Sequence, residues 1–255
     1  MSGMLALLLA GFSGLVGILV GATSIGGVLL VPFLTYFAGI DVHAAIGAAM
    51  FSYIFAGAAG AWFYSRRGSI QWSIAGWLIL GAMPGAFAGS MAKSAASGPA
   101  LEGLIGLLLL FAAYTAMRPG PGRAGPGRVM AKPLLVALGG LTGFGSAMSG
   151  TSGPLILLPI LLWLNVPVIS AIGVAQAVQL PIALLATGGN FLSGTVALLI
   201  GLVIALALIG GIAAGAALAH ALSPSVLKRG VAWVVLVVGI GILVRLFAAQ
   251  FAMVN

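Results

Sequence analysis

Thr23 to Leu34 reads TSIGGVLLVPFL, an apolar run broken by a serine and two adjacent glycines and closed by Pro32. The pattern returns from Gly150 to Leu161 as GTSGPLILLPIL, where Gly26 falls on Gly153 and Pro32 on Pro159 at one offset of 127 residues. Glycine and proline inside a hydrophobic segment free backbone groups that lipid cannot satisfy. Two such interrupted segments, at corresponding places in the two halves of an apolar chain, point to a binding site near the middle of a membrane. The stretch predicts an all-α integral membrane protein of two inverted repeats, each of about five helical elements, with short broken or re-entrant helices near the midplane.

Composition agrees with that solvent. The 255 residues are 62% hydrophobic and 5% charged, with a mean hydropathy of +1.27. A water-exposed surface is normally about a quarter Lys, Arg, Glu and Asp, so most of this surface must face lipid. Ten Lys plus Arg against two acids leave a net charge of +8. The basic residues sit in short breaks between apolar runs, where they act as topology signals. Nucleic acid is excluded as a partner, because neither a solvated basic face nor interleaved aromatics is present. The chain has no Cys, which removes disulfides, thiolate metal sites and Cys nucleophiles. No metal or other cofactor is expected. No Lys or Arg precedes Leu5–Gly21, so that run lacks the basic start of a cleaved signal and is expected to stay in the mature protein.

The residues divide as 1–117, 118–133 and 134–255. The middle piece, RPGPGRAGPGRVMAKP, combines helix-breaking Pro and Gly with four basic side chains and reads as a cytoplasmic linker between two transmembrane repeats. Beyond Asn165 the offset becomes 126, and Gly47, Gly68, Gly85 and Gly89 fall on Gly173, Gly194, Gly211 and Gly215. With an odd number of crossings per half, Arg66, Arg67, four linker cations, Lys228 and Arg229 all lie on one side, and Lys93 and Arg245 on the other. The positive-inside rule then puts the linker in the cytoplasm and both termini outside.

The breaks carry the chemistry. A helix that begins inside the membrane has unpaired N–H groups at its start, and with its dipole that end favours an anion. Gly26 and Gly27 open one short helix and Gly153 and Pro154 the other, while Ser24, Thr151 and Ser152 add hydroxyls. Pro154 stands where the first copy has Gly27, so the second break loses one backbone donor. Gln176 and Gln179, three apart on one helix face, add amides where the first half has Met50 and Tyr53. The plainer readings are close helix packing for the glycines and interhelical hydrogen bonding for the glutamines. Asp41 precedes a helical run, as an N-cap does. His43 follows two residues later, and proton coupling through Asp41 and His43 stays open. Lys93 is placed in a turn and Asn190 in a loop, and no basic residue is expected to be buried within a span.

The duplicated breaks, the loop YSRRGSI from Tyr64 to Ile70 and the helix GAMPGAFAG from Gly81 to Gly89 together resemble the sulfite exporter TauE/SafE family, also called the TSUP family. The resemblance covers essentially the whole chain. It implies a multi-pass transporter of the bacterial plasma (inner) membrane, moving small sulfur-containing or carboxylate anions such as sulfite, sulfoacetate or thiosulfate, with export suggested. Alternating access would slide along glycine stripes such as Gly81, Gly85 and Gly89. The expected partners are lipid and a small anion, with a homodimer as an allowed assembly. Two rivals remain in view. GTSG at Gly150–Gly153 is similar to the GxSG of rhomboid intramembrane proteases, with Ser152 and His220 as a dyad. A passive anion channel is the other.

Overall fold

The computed structural model describes residues 3–24, 26–117, 130–221, 233 and 236–248. Among them every regular element is helical. They are α1 (Gly3–Thr23), a 3-10 turn (Gly26–Leu29) leading into α2 (Leu30–Tyr36), α3 (Val42–Arg66), α4 (Trp72–Ala95), α5 (Gly98–Met117), α6 (Lys132–Ser149), α7 (Pro154–Trp163), α8 (Val168–Leu192), α9 (Leu198–Ala221) and α10 (Leu236–Ala248). Five of these, α3, α4, α5, α8 and α9, are long and apolar enough to cross a membrane. Leu7, Leu107, Leu141 and Leu206 point outward at 60% exposure or more. An apolar outer shell of this kind is what lipid requires.

Local chemistry sets the boundaries. Asp41 caps α3, its Oδ1 accepting from the backbone N–H groups of His43 and Ala44 at 2.9 and 3.3 Å. Six described residues have left-handed backbone, and they fall into three pairs separated by 126 residues. These are Ser24 with Gly150, Gly39 with Asn165, and Gly68 with Gly194. The same turns thus close corresponding helices in the two halves. Ser24 pairing with Gly150 rather than Thr151 makes the second break one residue longer than the first.

The packing between halves has the same reciprocity. α4 packs along α6, and α1, the counterpart of α6, packs along α9, the counterpart of α4. Glycines make both contacts close: Gly85 meets Gly140 and Gly89 meets Phe144, while Gly211 meets Gly14 and Gly17, and Gly215 meets Ile18. A methyl group at any of these four stripe positions would strike backbone, so two helices approach there as only small residues permit. Two counterpart pairs also touch each other directly. Gly47 of α3 lies at Thr195, just past the end of α8, and Gly57 and Gly60 lie at Leu180 and Gln176 of α8, so the two run antiparallel. Gly106 at Leu243 and Gly239 at Leu109 show the same for α5 and α10.

Charges gather at two ends of the bundle. At one, Arg66 and Arg67 end α3, Arg67 reaches the Ala216 carbonyl at 3.4 Å, and Lys132 lies 5.1 Å over the Trp77 ring. At the other are Asp41, His43, Lys93 and Glu102. There the Tyr36 hydroxyl donates to Glu102 at 2.7 Å, and Arg245 sits 4.6 Å over the Tyr36 ring. Of the other basic positions, Arg118, Arg123, Arg128, Lys228 and Arg229 lie outside the described residues, as does the linker from 118 to 129.

Two expectations are corrected. Lys93 is not in a turn: α4 continues to Ala95, and Lys93 is fully buried, with Nζ donating to the His43 carbonyl at 3.2 Å and to Thr195 Oγ1 at 2.9 Å. The four-carbon stem lets it follow the apolar helix surface while its head reaches polar groups at the helix ends. A basic residue is therefore buried in a long apolar helix, although in its last turn. Asn190 is not a loop residue but part of α8, fully buried, because the helix runs on until Ser193 and the left-handed Gly194.

Candidate functional site

The two breaks meet. A Cβ built on Gly27 would stand 2.8 Å from both Cβ and Oγ of Ser152 and 2.9 Å from the Tyr53 hydroxyl, so the first break touches the second with only a glycine between. Tyr53 and Gln179 flank this contact. Each is the twelfth residue of a 25-residue helix, α3 and α8 respectively, which puts both at the helix centre. They do corresponding work with opposite polarity. The Tyr53 hydroxyl donates to the carbonyl of Gly27, while the Gln179 Oε1 accepts the backbone N–H of Gly153. Each half thus pins its own break from the middle of its third helix. Tyr64 adds a second pin, donating to the Gly21 carbonyl at 2.8 Å.

Gln176 works differently, because it crosses between the halves. Its Nε2 donates to the carbonyl of Val20 at 2.9 Å and lies 3.4 Å from the Ser24 hydroxyl, and its amide fills the space left by Gly60. In the second break, the Ser146 hydroxyl donates to the Thr151 carbonyl, and Ser149 Oγ and Thr151 Oγ1 share a bond of 2.8 Å. Thr151 is thereby tied back onto α6. Gly26 lies against Leu19, Val16 and Val20 of its own half, as the packing reading of the glycines expects. Ser24 takes left-handed backbone at φ 62°, unusual for a residue with a side chain and found where surrounding contacts hold the chain.

These bonds change which donors are free. The Gly153 N–H goes to Gln179, Leu155 N–H bonds back to the Ser152 carbonyl, and Ile156 and Leu157 N–H both bond to Gly153 O. The opening turn of α7 thus closes on itself. Of the buried side-chain atoms without a protein partner among the described residues, three belong to residues at the two breaks and the helix that pins the second: the Ser152 hydroxyl, the Nε2 of Gln179 and the Oε1 of Gln176, all three residues at most 2% exposed. Buried polar atoms in that state need water or a ligand, since leaving them bare costs about 1–3 kcal/mol each.

Gly27, Ser152, Gln176 and Gln179, with Ser24 beside them, are brought to one region. Asp41 and His43 are not. His43 stands ten residues before Tyr53, about 15 Å along a helix. Its Nδ1 is 3.5 Å from the Asp41 carboxylate, and its Nε2 is 3.0 Å from the Ala96 carbonyl. Sequence reasoning passed over Tyr53, Tyr64, Ser146 and Ser149 as parts of this region. For the tyrosines, a signal existed in register: Tyr53 is 126 residues before Gln179, and Tyr64 the same distance before Asn190.

Two interrupted helices meeting at the centre of a lipid-facing bundle, with buried hydroxyl and amide groups between them, have the architecture of a multi-pass membrane transporter. The model of the sulfite exporter TauE/SafE family matches residues 5–242, nearly the whole chain, and the chain belongs to that family, whose members are transporters rather than enzymes. No curated protein and no solved structure matches it. The protease alternative is not favoured. The Ser152 hydroxyl lies against Gly27, and the His220 side chain is outside the described residues, as are Ser223 and Pro224.

Proposed function

We propose that this chain is a secondary transporter that exports small sulfur-containing or organic anions of the sulfite, sulfoacetate or thiosulfate kind by alternating access. The observation that carries the reading is the contact of Gly27 with Ser152 at the level of two helix centres, beside the unpartnered Ser152 hydroxyl and Gln179 amide. The substrate-binding residues are Ser24, Gly26, Gly27, Thr151, Ser152, Gly153, Gln176 and Gln179. Gly26, Thr151 and Gly153 act by shaping the breaks, and the rest by facing the anion.

The halves 1–117 and 134–255 are inverted repeats in this account. Its support is the antiparallel run of α3 on α8 and of α5 on α10, together with the left-handed residues paired at 126. The end carrying Arg66, Arg67 and Lys132 faces the cytoplasm of a bacterial cell, with the 118–133 linker, and both termini are outside. Rocking occurs along the paired glycine contacts of α4 with α6 and of α1 with α9, which let backbones slide past one another without side chains interlocking. Asp41 and His43, at the outer end, are the candidates for proton coupling.

The test is a proteoliposome panel of sulfite, thiosulfate, sulfoacetate, taurine, sulfate and short carboxylates. Saturable movement of at least one sulfur anion supports the reading. Saturable movement of only a cation or a neutral sugar overturns it.

A further inference from the structure

The unpartnered side-chain atoms of the residues at and beside the two breaks are of both kinds. Ser152 Oγ and Gln179 Nε2 offer hydrogens, whereas Gln176 Oε1 offers only lone pairs, and Gln176 is fully buried. Gln176 cannot turn its amide over to become a donor at that point, because its Nε2 is already bonded to the Val20 carbonyl. Gln176 and Gln179 are three residues apart on one face of α8. The neighbouring carbonyls that would otherwise repel an anion are each covered: Gly27 O by Tyr53, Val20 O by Gln176 and Thr151 O by Ser146. Of these three side chains, one therefore keeps an unpaired acceptor beside two unpaired donors, and that acceptor lies against Gly60 of α3.

No cation stands among these groups in the described residues. The titratable side chains nearest the breaks are the phenols of Tyr53 and Tyr64, both donating to backbone carbonyls. Lys93, with Asp41 and His43, lies at the level of the start of α3, about 15 Å from Tyr53, and is held there by His43 O and Thr195 Oγ1. The cost of taking an ion out of water rises with the square of its charge, so a dianion costs about four times a monoanion. A site with no counter-charge and one open acceptor selects against the dianion twice, by desolvation and by repulsion at the acceptor.

We propose that the transported species is a monoanion that carries its own hydrogen, of the hydrogen sulfite type, with its oxygens facing Ser152 Oγ and Gln179 Nε2 and its hydrogen donated to Gln176 Oε1. Sulfite and hydrogen sulfite exchange near neutral pH, so the same solute is accepted or refused according to its protonation. Sulfate and thiosulfate are dianions across that range and are refused. The inference rests on the proposed anion-transport function and narrows it.

The experiment measures initial rates of labelled sulfite exchange in proteoliposomes across neutral pH, with sulfate, thiosulfate and methanesulfonate as competitors. Above the anion's own pKa, the KM in total sulfite should rise about tenfold per pH unit, while the KM in hydrogen sulfite stays constant. Methanesulfonate, a monoanion without the hydrogen, should compete at least tenfold more weakly than hydrogen sulfite, and sulfate and thiosulfate not at all. Lys93→Met, which removes the buried cation at the outer end, should leave sulfite KM within twofold. Thiosulfate or sulfate exchanging as well as sulfite would overturn the inference, as would a KM in total sulfite that ignores pH, and so would loss of binding in a folded Lys93→Met protein. Absence of exchange for every sulfur anion would overturn the transport function itself, a distinguishable failure.

Discussion

Gly27→Ala probes the meeting of the two breaks with one methyl group. An ideal Cβ at Gly27 lies 2.8 Å from Ser152 Cβ and Oγ and 2.9 Å from the Tyr53 hydroxyl. Unstrained contacts of this kind stand at about 3.5–4.0 Å, so the breaks must part by roughly 0.7 Å or more. Overpacking of this size costs about 1–3 kcal/mol. The shift also loosens the bond from Tyr53 to the Gly27 carbonyl, worth about 1 kcal/mol. The strain acts on side chains that are proposed to hold the anion, so exchange should fall by roughly tenfold to a hundredfold while the protein still inserts and purifies. Gly188→Ala is the matched control, since that glycine lies in α8 with nothing within 4 Å of the added methyl. It should transport normally and be about as stable or up to roughly 1 kcal/mol more so, as a helical glycine gives way to alanine. The assay is the initial rate of sulfite exchange per reconstituted protein, alongside thermal melting in detergent. Wild-type exchange and melting in Gly27→Ala would refute the contact between the breaks.

Other consequences concern separate parts of the account. Bulky replacement of Gly26 or Gly153 should abolish transport while leaving protein in the membrane, and undiminished flux in both variants would sink their assignment. Gln176→Leu removes the side-chain donor from the Val20 carbonyl, which keeps the backbone N–H of Ser24. It should lower stability by about 1 kcal/mol, read as a drop in melting temperature. Asp41→Ala should lose about 1 kcal/mol of stability, whereas Asp41→Asn, an equally good cap, should lose little; equal melting of the two variants would remove the cap. Coupling through Asp41 and His43 predicts that a pH gradient accelerates exchange in the parent and not in His43→Gln. Because the chain has no cysteine, single cysteines placed at Gly68, Met130 and Ala96 report sidedness directly. The first two should label from the cytoplasm and the third from outside, and labelling of Gly68 and Met130 from opposite faces would end the inverted arrangement.

Much of the fold was legible because lipid leaves so few choices. Long apolar runs with breaks at Gly, Pro and charge mark helices and turns almost directly, and the Asp41 cap and the centres of α3 and α8 follow from them. Lys93 was misread because Lys–Ser–Ala–Ala–Ser–Gly resembles a turn in one dimension. Only the neighbouring ends of α3 and of the α8–α9 turn supply the oxygens that let a lysine stay inside. Asn190 was misread for a related reason, since a polar residue beside two glycines looks like a loop until the helix is seen to run through it. At the site, the pairs Gly26–Gly153 and Pro32–Pro159 exposed the breaks, but not the opposite roles of their neighbours. Periodicity cannot tell that Tyr53 donates where Gln179 accepts, because that depends on which backbone group each break turns toward the helix. Nor does it reveal that the N–H groups opening α7 are already satisfied, which at the second break moves ligand contact from backbone to side chains.

The central claim is that a small anion binds where Gly27 meets Ser152 and is carried across from there. The most direct measurement is the concentration dependence of labelled sulfite exchange in proteoliposomes for the parent chain and for Ser152→Ala, with melting temperatures taken on the same preparations. The account predicts saturable exchange, accelerated by sulfite on the far side, and a KM raised severalfold in a Ser152→Ala protein that melts normally. Flux that grows linearly without saturation or exchange, as through a passive channel, or a Ser152→Ala protein with unchanged KM, would contradict it.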